Sequence, residues 1–370
     1  MNGSKFLVFV TVTLSIWAVI HFYVFWRLAT VPWIAAHSTR RFLVLIAVIL
    51  WGSFPLSRIL SAHGLTCRPI EFAAANWIGV LFLLFSMFLI VDVLTLGGKI
   101  LTAHIATIRT TATVASFGMA IIALIQGLRE PSITTYDVHL KGLPRERDGM
   151  VLVALSDLHL GILSSKNELT ALMNRVNQLH PDLIVIVGDL VDSNANEAEP
   201  FIPILKTLQA PLGVWGVTGN HDFYAGLDRS LNIFEKSGFK VLRDQSVAAT
   251  NGLVIAGVDD LGTRFWEGSK PVEAALTNRP SGATLFLSHT PTLAENAAAR
   301  GVGLMLSGHT HDGQIWPFNY LVRMRYNLMA GEYDVNGMPA IVCRGTGTWG
   351  PTMRLWKRSE FLKITLHPAL

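Results

Sequence analysis

Eight side chains of this sequence are of kinds that hold metal ions or move protons, and they recur in one setting. Asp157 and His159, Asp189, Asn220 and His221, His289, and His309 and His311 each stand just after a short apolar run. In extended chain, residues two apart share a face, so Asp157 with His159, and His309 with His311, can each present two donors to one small object. Imidazole is the commonest protein ligand for mid-row divalent ions. Five of the eight histidines in residues 131–370 fall in these loops. Each residue alone has a plainer reading: Asp157 or Asp189 could cap a helix, Asn220 could turn a loop beside Gly219, and His289 could be a satisfied core histidine. All five loops ending this way is what chance does not supply.

The elements that must position these groups are legible around them. Apolar runs at Val151–Leu155, Leu183–Val187, Gly213–Val217, Leu253–Gly257, Thr284–Leu287 and Val302–Leu306 read as buried strands. Helical patterns lie between them at about Lys166–Leu179, Pro203–Leu208, Leu227–Lys236, Val272–Asn278 and Leu293–Arg300, the last opening after Pro291. Ala340–Arg344, Met353–Trp356 and Phe361–Leu366 read as further sheet, with a short strand at Lys240–Arg243. Alternating strands and helices, with polar residues at the strands' C-terminal ends, give an α/β domain with its site at the carboxyl edge.

The first third of the chain is of another kind. The sequence is 51% hydrophobic and only 15% charged, with mean hydropathy +0.41, where a soluble domain is about a quarter charged. Apolar runs at about Phe6–Trp26, Phe42–Leu60, Ala73–Leu96 and Thr110–Leu128 each approach the ~20 residues that cross a bilayer core. Residues 1–130 are thus expected to form an all-α region of four transmembrane helices, with residues 131–370 as the α/β domain. The first run lacks a small-residue cleavage site and reads as an anchor. Residues 1–130 carry nine Lys or Arg against three acids, so the basic pI of about 9.1 comes from this region. It says nothing for nucleic acid, and none is expected as a partner. Arg27, Arg40, Arg41, Lys99 and Arg109 outnumber Lys5, Arg58 and Arg68 on the opposite loops. That count favours loops 1 and 3 in the cytoplasm and the α/β domain outside it, but Arg129, Lys141, Arg145 and Arg147 would then lie outside too and erase the margin. His21, Asp92 and His104 are the ionisable groups that could mark a transport path, although an interfacial charge is the plainer reading of Asp92. Cys67 and Cys343 have no CxxC spacing and read as free.

Asp-x-His (157–159), Gly-Asp-x-x-Asp (188–192), Gly-Asn-His-Asp (219–222), Ser-His (288–289) and Gly-His-Thr-His (308–311), in that order, resemble the calcineurin-like metallophosphoesterases. The resemblance covers roughly residues 148–366. Gly-Val-Asp-Asp at 257–260, Gly-His-Thr-His-x-Gly-Gln at 308–314 and Arg-Gly-x-Gly at 344–347 are closest to its bacterial membrane-associated branch. It implies a four-layer αββα sandwich holding two divalent metal ions from among Mn, Fe, Zn, Co and Ni, with Mn favoured. By resemblance one ion takes Asp157, His159, Asp189 and His311, and the other takes Asp189, Asn220, His289 and His309. Two cations roughly 3.5–4 Å apart need a shared anion, which a bridging Asp189 supplies, and together they bring hydroxide within reach of neutral pH. Attack on phosphorus would hydrolyse a phosphodiester, phosphomonoester or pyrophosphate bond. His221 is then expected to protonate the leaving oxygen or stabilise the transition state, with Asp222 and Asp192 as supporting acids.

Two departures from that branch stand out. Asp312 lies where glycine is usual, and Ile315–Tyr326 is unusually aromatic and basic, so it could form core or a lip for lipid. Tethering at a bacterial cell membrane favours an amphiphilic phosphate ester, such as a phospholipid or a UDP-diacylglucosamine-type pyrophosphate. The enzymes cleaving the latter resemble Gly-Asn-Arg-Asp where His221 stands here. The competing classes are a transporter or signalling protein regulated by this domain, and a catalytically silent binding domain. The first lacks broken or repeated helices. The second predicts a missing ligand, and all seven are present.

Overall fold

The computed structural model describes residues 3–36, 40–62, 65, 67–264 and 270–369. The chain forms two compact units. One comprises Met1–Leu128 with Ile315–Pro317 and Gly350–Trp356, and the other comprises the rest.

The first unit is built on helices α1 (Gly3–Leu28), α2 (Arg40–Ala62), α3 (Arg68–Thr95) and α4 (Ile105–Gly127). All four are long and apolar enough to cross a membrane. Several of their polar groups are satisfied within the unit, although Asn76 Oδ1 and Arg109 Nε are buried without a hydrogen-bond partner. Thr113 and Ser116 donate their hydroxyls to the carbonyls one turn back in α4. Asp92 accepts from the Tyr23 hydroxyl at 2.5 Å and from Arg27 Nε at 2.6 Å, with Arg109 at 3.5 Å. Asp92 therefore ties α1, α3 and α4 together. Trp77 Nε1 donates to His21 Nε2 at 2.9 Å. Ile315, Met353 and Leu355 pack with Leu83, Ala120 and Ala123. Met353–Trp356, expected as a strand, is thus not one. Its alternating apolar residues are buried against helices, and alternation alone does not say what covers it.

The second unit has two six-stranded sheets. Strands β1 (Ser132–Leu140), β2 (Met150–Leu155), β3 (Leu183–Val187), β4 (Val214–Val217) and β5 (Lys240–Val241) join β12 (Glu360–Pro368) in the order β1-β12-β2-β3-β4-β5. Strands β6 (Gln245–Thr250), β7 (Leu253–Gly257), β8 (Ala283–Leu287), β9 (Leu304–Ser307), β10 (Gly331–Val335) and β11 (Met338–Val342) form the other, ordered β10-β11-β9-β8-β7-β6. Alternate residues of each strand face opposite ways. Leu152, Ala154, Val185 and Val187 accordingly meet Ile255, Leu285, Leu287 and Leu306 in the core between the sheets. Val153, Leu155, Ile184 and Ile186 turn outward onto helices α5 (Lys166–Asn177) and α6 (Leu227–Lys236). Ala256, Phe286 and Met305 cover helices α7 (Pro271–Leu276) and α8 (Ala294–Ala299). The result is a four-layer αββα sandwich. Helix α9 (Phe318–Arg325) follows, with no buried residue.

Candidate metal centre

Strands β2, β3 and β4 run parallel, as do β8 and β9, so their C-terminal ends lie at matching edges. Asp157 and His159 follow β2, Asp189 follows β3, His289 follows β8, and His309 and His311 follow β9. Asn220 opens a one-turn helix, Asn220–Tyr224, after β4. Five of these residues adopt the left-handed backbone region: Asp157 (φ 55°), His159 (45°), Asp189 (50°), His309 (70°) and His311 (49°). Such positions cost roughly 1–3 kcal/mol each and persist where the surroundings over-determine them. The motif glycines make room. A Cβ on Gly219 would overlap the Asp189 carboxylate, and one on Gly308 would run into the Ser156 hydroxyl and the Asp157 carboxylate.

These loops converge. His311 Nε2 lies 3.1 Å from Asp157 Oδ1 and 3.1 Å from His159 Nε2. His159 Nε2 is 3.7 Å from Asp189 Oδ2, and His289 Nε2 is 3.1 Å from the same oxygen. Three groups have ligand atoms within 4.8 Å of one another: Asp157, His159 and His311; His159, Asp189 and His221; and Asp189, His289 and His309. Asp189 belongs to two of the three, the placement a shared carboxylate needs.

The donors are also oriented. His289 Nδ1 lies 2.8 Å from the Val187 carbonyl, so that nitrogen donates and Nε2 is left with a lone pair facing Asp189. His289 Nε2, buried, has no hydrogen-bond partner, and neither does the buried Asn220 Oδ1. Buried acceptors are otherwise paired, and two such orphans, one of them facing the Asp189 carboxylate, fit a cation. His309 Nε2 meets the Tyr326 hydroxyl at 2.8 Å, which leaves Nδ1 toward Asp189 and His289. Asp192 Oδ1 stands near two rings, 3.5 Å from His159 Nδ1, which has no hydrogen-bond partner, and 3.4 Å from His221 Nδ1. The residues present therefore fit two divalent ions, with outer hydrogen bonds in place on His289 and His309.

The electrostatics agree. Burial works to raise Asp157 and Asp189, yet the surrounding histidines hold both carboxyls well below their ordinary range. Burial would lower His289, but Asp189 and Asp157 lift it well above its usual value. Burial also opposes protonation of His221, and the Asp192 hydrogen bond with the Asp189 and Asp192 charges raises it to about 9. Protons and metal ions compete for these same sites.

Asp222 is placed differently. Its carboxylate accepts the backbone N–H groups of Gly219 at 2.8 Å and Val191 at 3.1 Å. Fully buried beneath the loops, it braces the backbone on either side of the centre, and burial with the nearby Asp189 charge pushes it to about 7. Asp312 adds no uncompensated charge, since Arg344 and Lys357 lie 3.4 and 3.2 Å from its Oδ2.

A cavity of about 450 Å³ opens over the centre. His159, Asp189, Asn220, His221, His309 and His311 form its floor, and Phe318, Leu321, Val322 and Arg325 of α9 form a wall with Tyr224, Tyr326 and Trp349. Sequence reading singled out Ile315–Tyr326 as a composition but not as a helix, and it assigned no site role to Tyr326, Tyr224 or Trp349. The only signal for Tyr326 was its place eight residues beyond Phe318 in an aromatic segment, which carries no contact information.

Fold and site together define an α/β sandwich protein with clustered metal-ligating side chains at its sheet edge. The sequence model of the calcineurin-like phosphoesterases matches residues 150–313. An Aquifex aeolicus metallophosphoesterase is 33% identical over 241 residues, spanning 63% of this chain and 91% of that protein. A transmembrane protein with metallophosphoesterase domain from Danio rerio is 32% identical over 265 residues, spanning 68% of this chain and 61% of that protein. A Campylobacter jejuni metallophosphoesterase is 32% identical over 244 residues, spanning 65% and 64%. The chain thus spans about three fifths of the length of the last two relatives. Among solved structures, a dimetal phosphatase from Danio rerio shares 15% identity over 59% of this chain and 99% of that one, with a TM-score of 0.36. The chain belongs to the calcineurin-like phosphoesterase family.

Proposed function

We propose that this chain is a membrane-anchored, metal-dependent phosphoester hydrolase acting on a lipid-linked phosphate or pyrophosphate ester. The observation that carries the reading is the convergence of seven ligand-type side chains, two with orphaned buried acceptors, around a doubly shared Asp189. One ion would be held by Asp157, His159, Asp189 and His311, and the other by Asp189, Asn220, His289 and His309. Mn is the favoured metal. Bound divalent ions supply Lewis-acid polarisation of phosphoryl oxygens and ionise water near neutral pH.

The chain's own residues do the rest. His221 lines the cavity with Nδ1 held 3.0 Å from the Asp192 carbonyl, which leaves Nε2 to deliver a proton to the leaving oxygen. Asp192 positions both His221 and His159, and Asp222 positions the loop that carries Asn220 and His221. The apolar wall of Phe318, Leu321 and Val322 suits an alcohol or anhydride partner bearing hydrocarbon, and Arg325 suits its phosphate. The four helices would anchor the protein in a bacterial cell membrane. The α/β unit would lie outside the cytoplasm by the loop count of five bases against three, a margin that Arg129, Lys141, Arg145 and Arg147 offset.

The test uses full-length protein with Mn²⁺ and an aryl phosphodiester, beside His221→Ala and Asp189→Asn. Metal-dependent turnover is expected, with at least a hundredfold loss in each variant (general acid–base catalysis contributes about 10²–10⁴). A phospholipid and pyrophosphate-lipid panel then assigns the substrate. Full metal occupancy without turnover on any of these would sink the hydrolase reading.

A further inference from the structure

Helix α9 has apolar side chains that nothing in its own unit covers. Among the described residues of that unit, six large apolar or aromatic side chains are exposed, and five gather here: Tyr224, Tyr320, Leu321, Met324 and Trp349. Tyr224, Leu321 and Trp349 line the mouth of the cavity. Met324, at 85% exposure, is the most exposed of all. A hydrophobic core explains none of them, because no residue of α9 is buried. Soluble surfaces seldom gather apolar side chains in this way without a partner.

The helix is two-sided. Phe318, Leu321, Val322 and Arg325, at i, i+3, i+4 and i+7, line the cavity, and Tyr320, Leu321 and Met324 form the adjoining outward stripe. Arg323 and Arg325 complete it, and α9 contains no acid. Arg325 lies over the Tyr326 ring, 5.3 Å from its centroid, and neither arginine meets an acid within α9. Aromatic and aliphatic side chains flanked by cations, with no acid, are the composition of helices that lie in the headgroup region of anionic membranes. In the chain, α9 follows directly on Ile315–Pro317, which belongs to the unit carrying the four spans.

We propose that α9 is an interfacial helix that seats Tyr320, Leu321 and Met324 in an anionic lipid surface, with Arg323 and Arg325 on the headgroup phosphates. At eight residues it is about 12 Å long, too short to anchor a protein. Its work is alignment: it holds the cavity mouth at headgroup level, so that a lipid phosphate reaches the floor without leaving the membrane. This goes beyond the hydrolase reading and does not depend on turnover.

The test is depth measurement on the full chain. In a Cys67→Ser background, with Cys343 buried, nitroxide labels are placed by Tyr320→Cys, Met324→Cys and, as an aqueous control, Lys236→Cys. The protein is reconstituted in phosphatidylglycerol nanodiscs and in phosphatidylcholine nanodiscs. The ratio of oxygen to nickel-chelate accessibility is expected to be several-fold higher at 320 and 324 than at 236 in phosphatidylglycerol. It should fall toward the control in Arg323→Glu/Arg325→Glu. Labels at 320 and 324 as aqueous as at 236 overturn the proposal. So does strong coupling between 324 labels of two copies that persists in detergent, which assigns the face to a second copy. Loss of turnover with the depth pattern intact would refute only the hydrolase.

Discussion

Tyr326→Phe tests whether His309 is a ligand held in place by a phenol. The Tyr326 hydroxyl lies 2.8 Å from His309 Nε2, and the ring is half-buried beside the cavity. Removing only the oxygen keeps the ring and its packing. A hydrogen bond of this kind contributes about 0.5–1.5 kcal/mol, which at about 1.4 kcal/mol per tenfold is roughly 2- to 13-fold in affinity. Outer partners of metal-bound histidines are worth about 10–100-fold, so about tenfold weaker binding is expected where the ranges meet. The loss should fall on one ion only, since Tyr326 touches His309 and neither His159 nor His311. Calorimetric titration of metal-stripped full-length protein with Mn²⁺ reads this directly. Two binding steps are expected, with one weakened in Tyr326→Phe and the same one abolished in His309→Ala. Turnover of Tyr326→Phe should be restored by excess Mn²⁺. If both steps stay within twofold of the parent while His309→Ala loses one, Tyr326 does not orient the ligand. If His309→Ala loses neither, His309 is not a ligand.

Gly219→Ala should be worse than its size suggests, because its Cβ would displace the Asp189 carboxylate. Both Mn²⁺ equivalents are expected to weaken at least tenfold, whereas displacement of one ion alone would refute sharing by Asp189. At the far end of the sheet, exposed His367 lies 2.6 Å from Asp148, whose hydrogen bond raises its pKa. A raised folded pKa gives stability that is present below the unfolded value near 6.5 and lost as pH rises through the folded one. The α/β unit's thermal midpoint should drop slightly over that interval in the parent and not in Asp148→Asn. For sidedness, Lys99→Cys in a Cys67→Ser background is expected to react with an impermeant maleimide in inverted membrane vesicles and not in intact cells. Labelling from outside would invert the topology.

Much of this was legible from residue order alone because parallel strands carry their information locally. An apolar run followed by Gly and a donor fixes both the strand and the end at which the donor stands. Leu183–Val187, Leu253–Gly257 and Leu227–Lys236 fall where pattern placed them. Strands β1, β6 and β10 escaped notice. β1 and β10 alternate buried or half-buried with exposed residues, and Gln245–Thr250 holds few strongly apolar ones. Such strands are specified by their neighbours more than by themselves.

The sequence by itself determined the ligand types, their two-residue spacings and the four apolar spans, since each depends on residues a few positions apart. Tertiary structure alone decided which nitrogen of His289 and of His309 is turned to the centre. It also decided that Asp192 stands near two rings while Asp222 braces backbone, and that Asp312 is paired. Finally, it made the aromatic stretch after the last motif into a helix walling the cavity. Those are matters of distance between residues tens to hundreds of positions apart, such as His289 and Val187 or Tyr326 and His309. Periodicity carries no distance across loops, so only the closed fold can supply them.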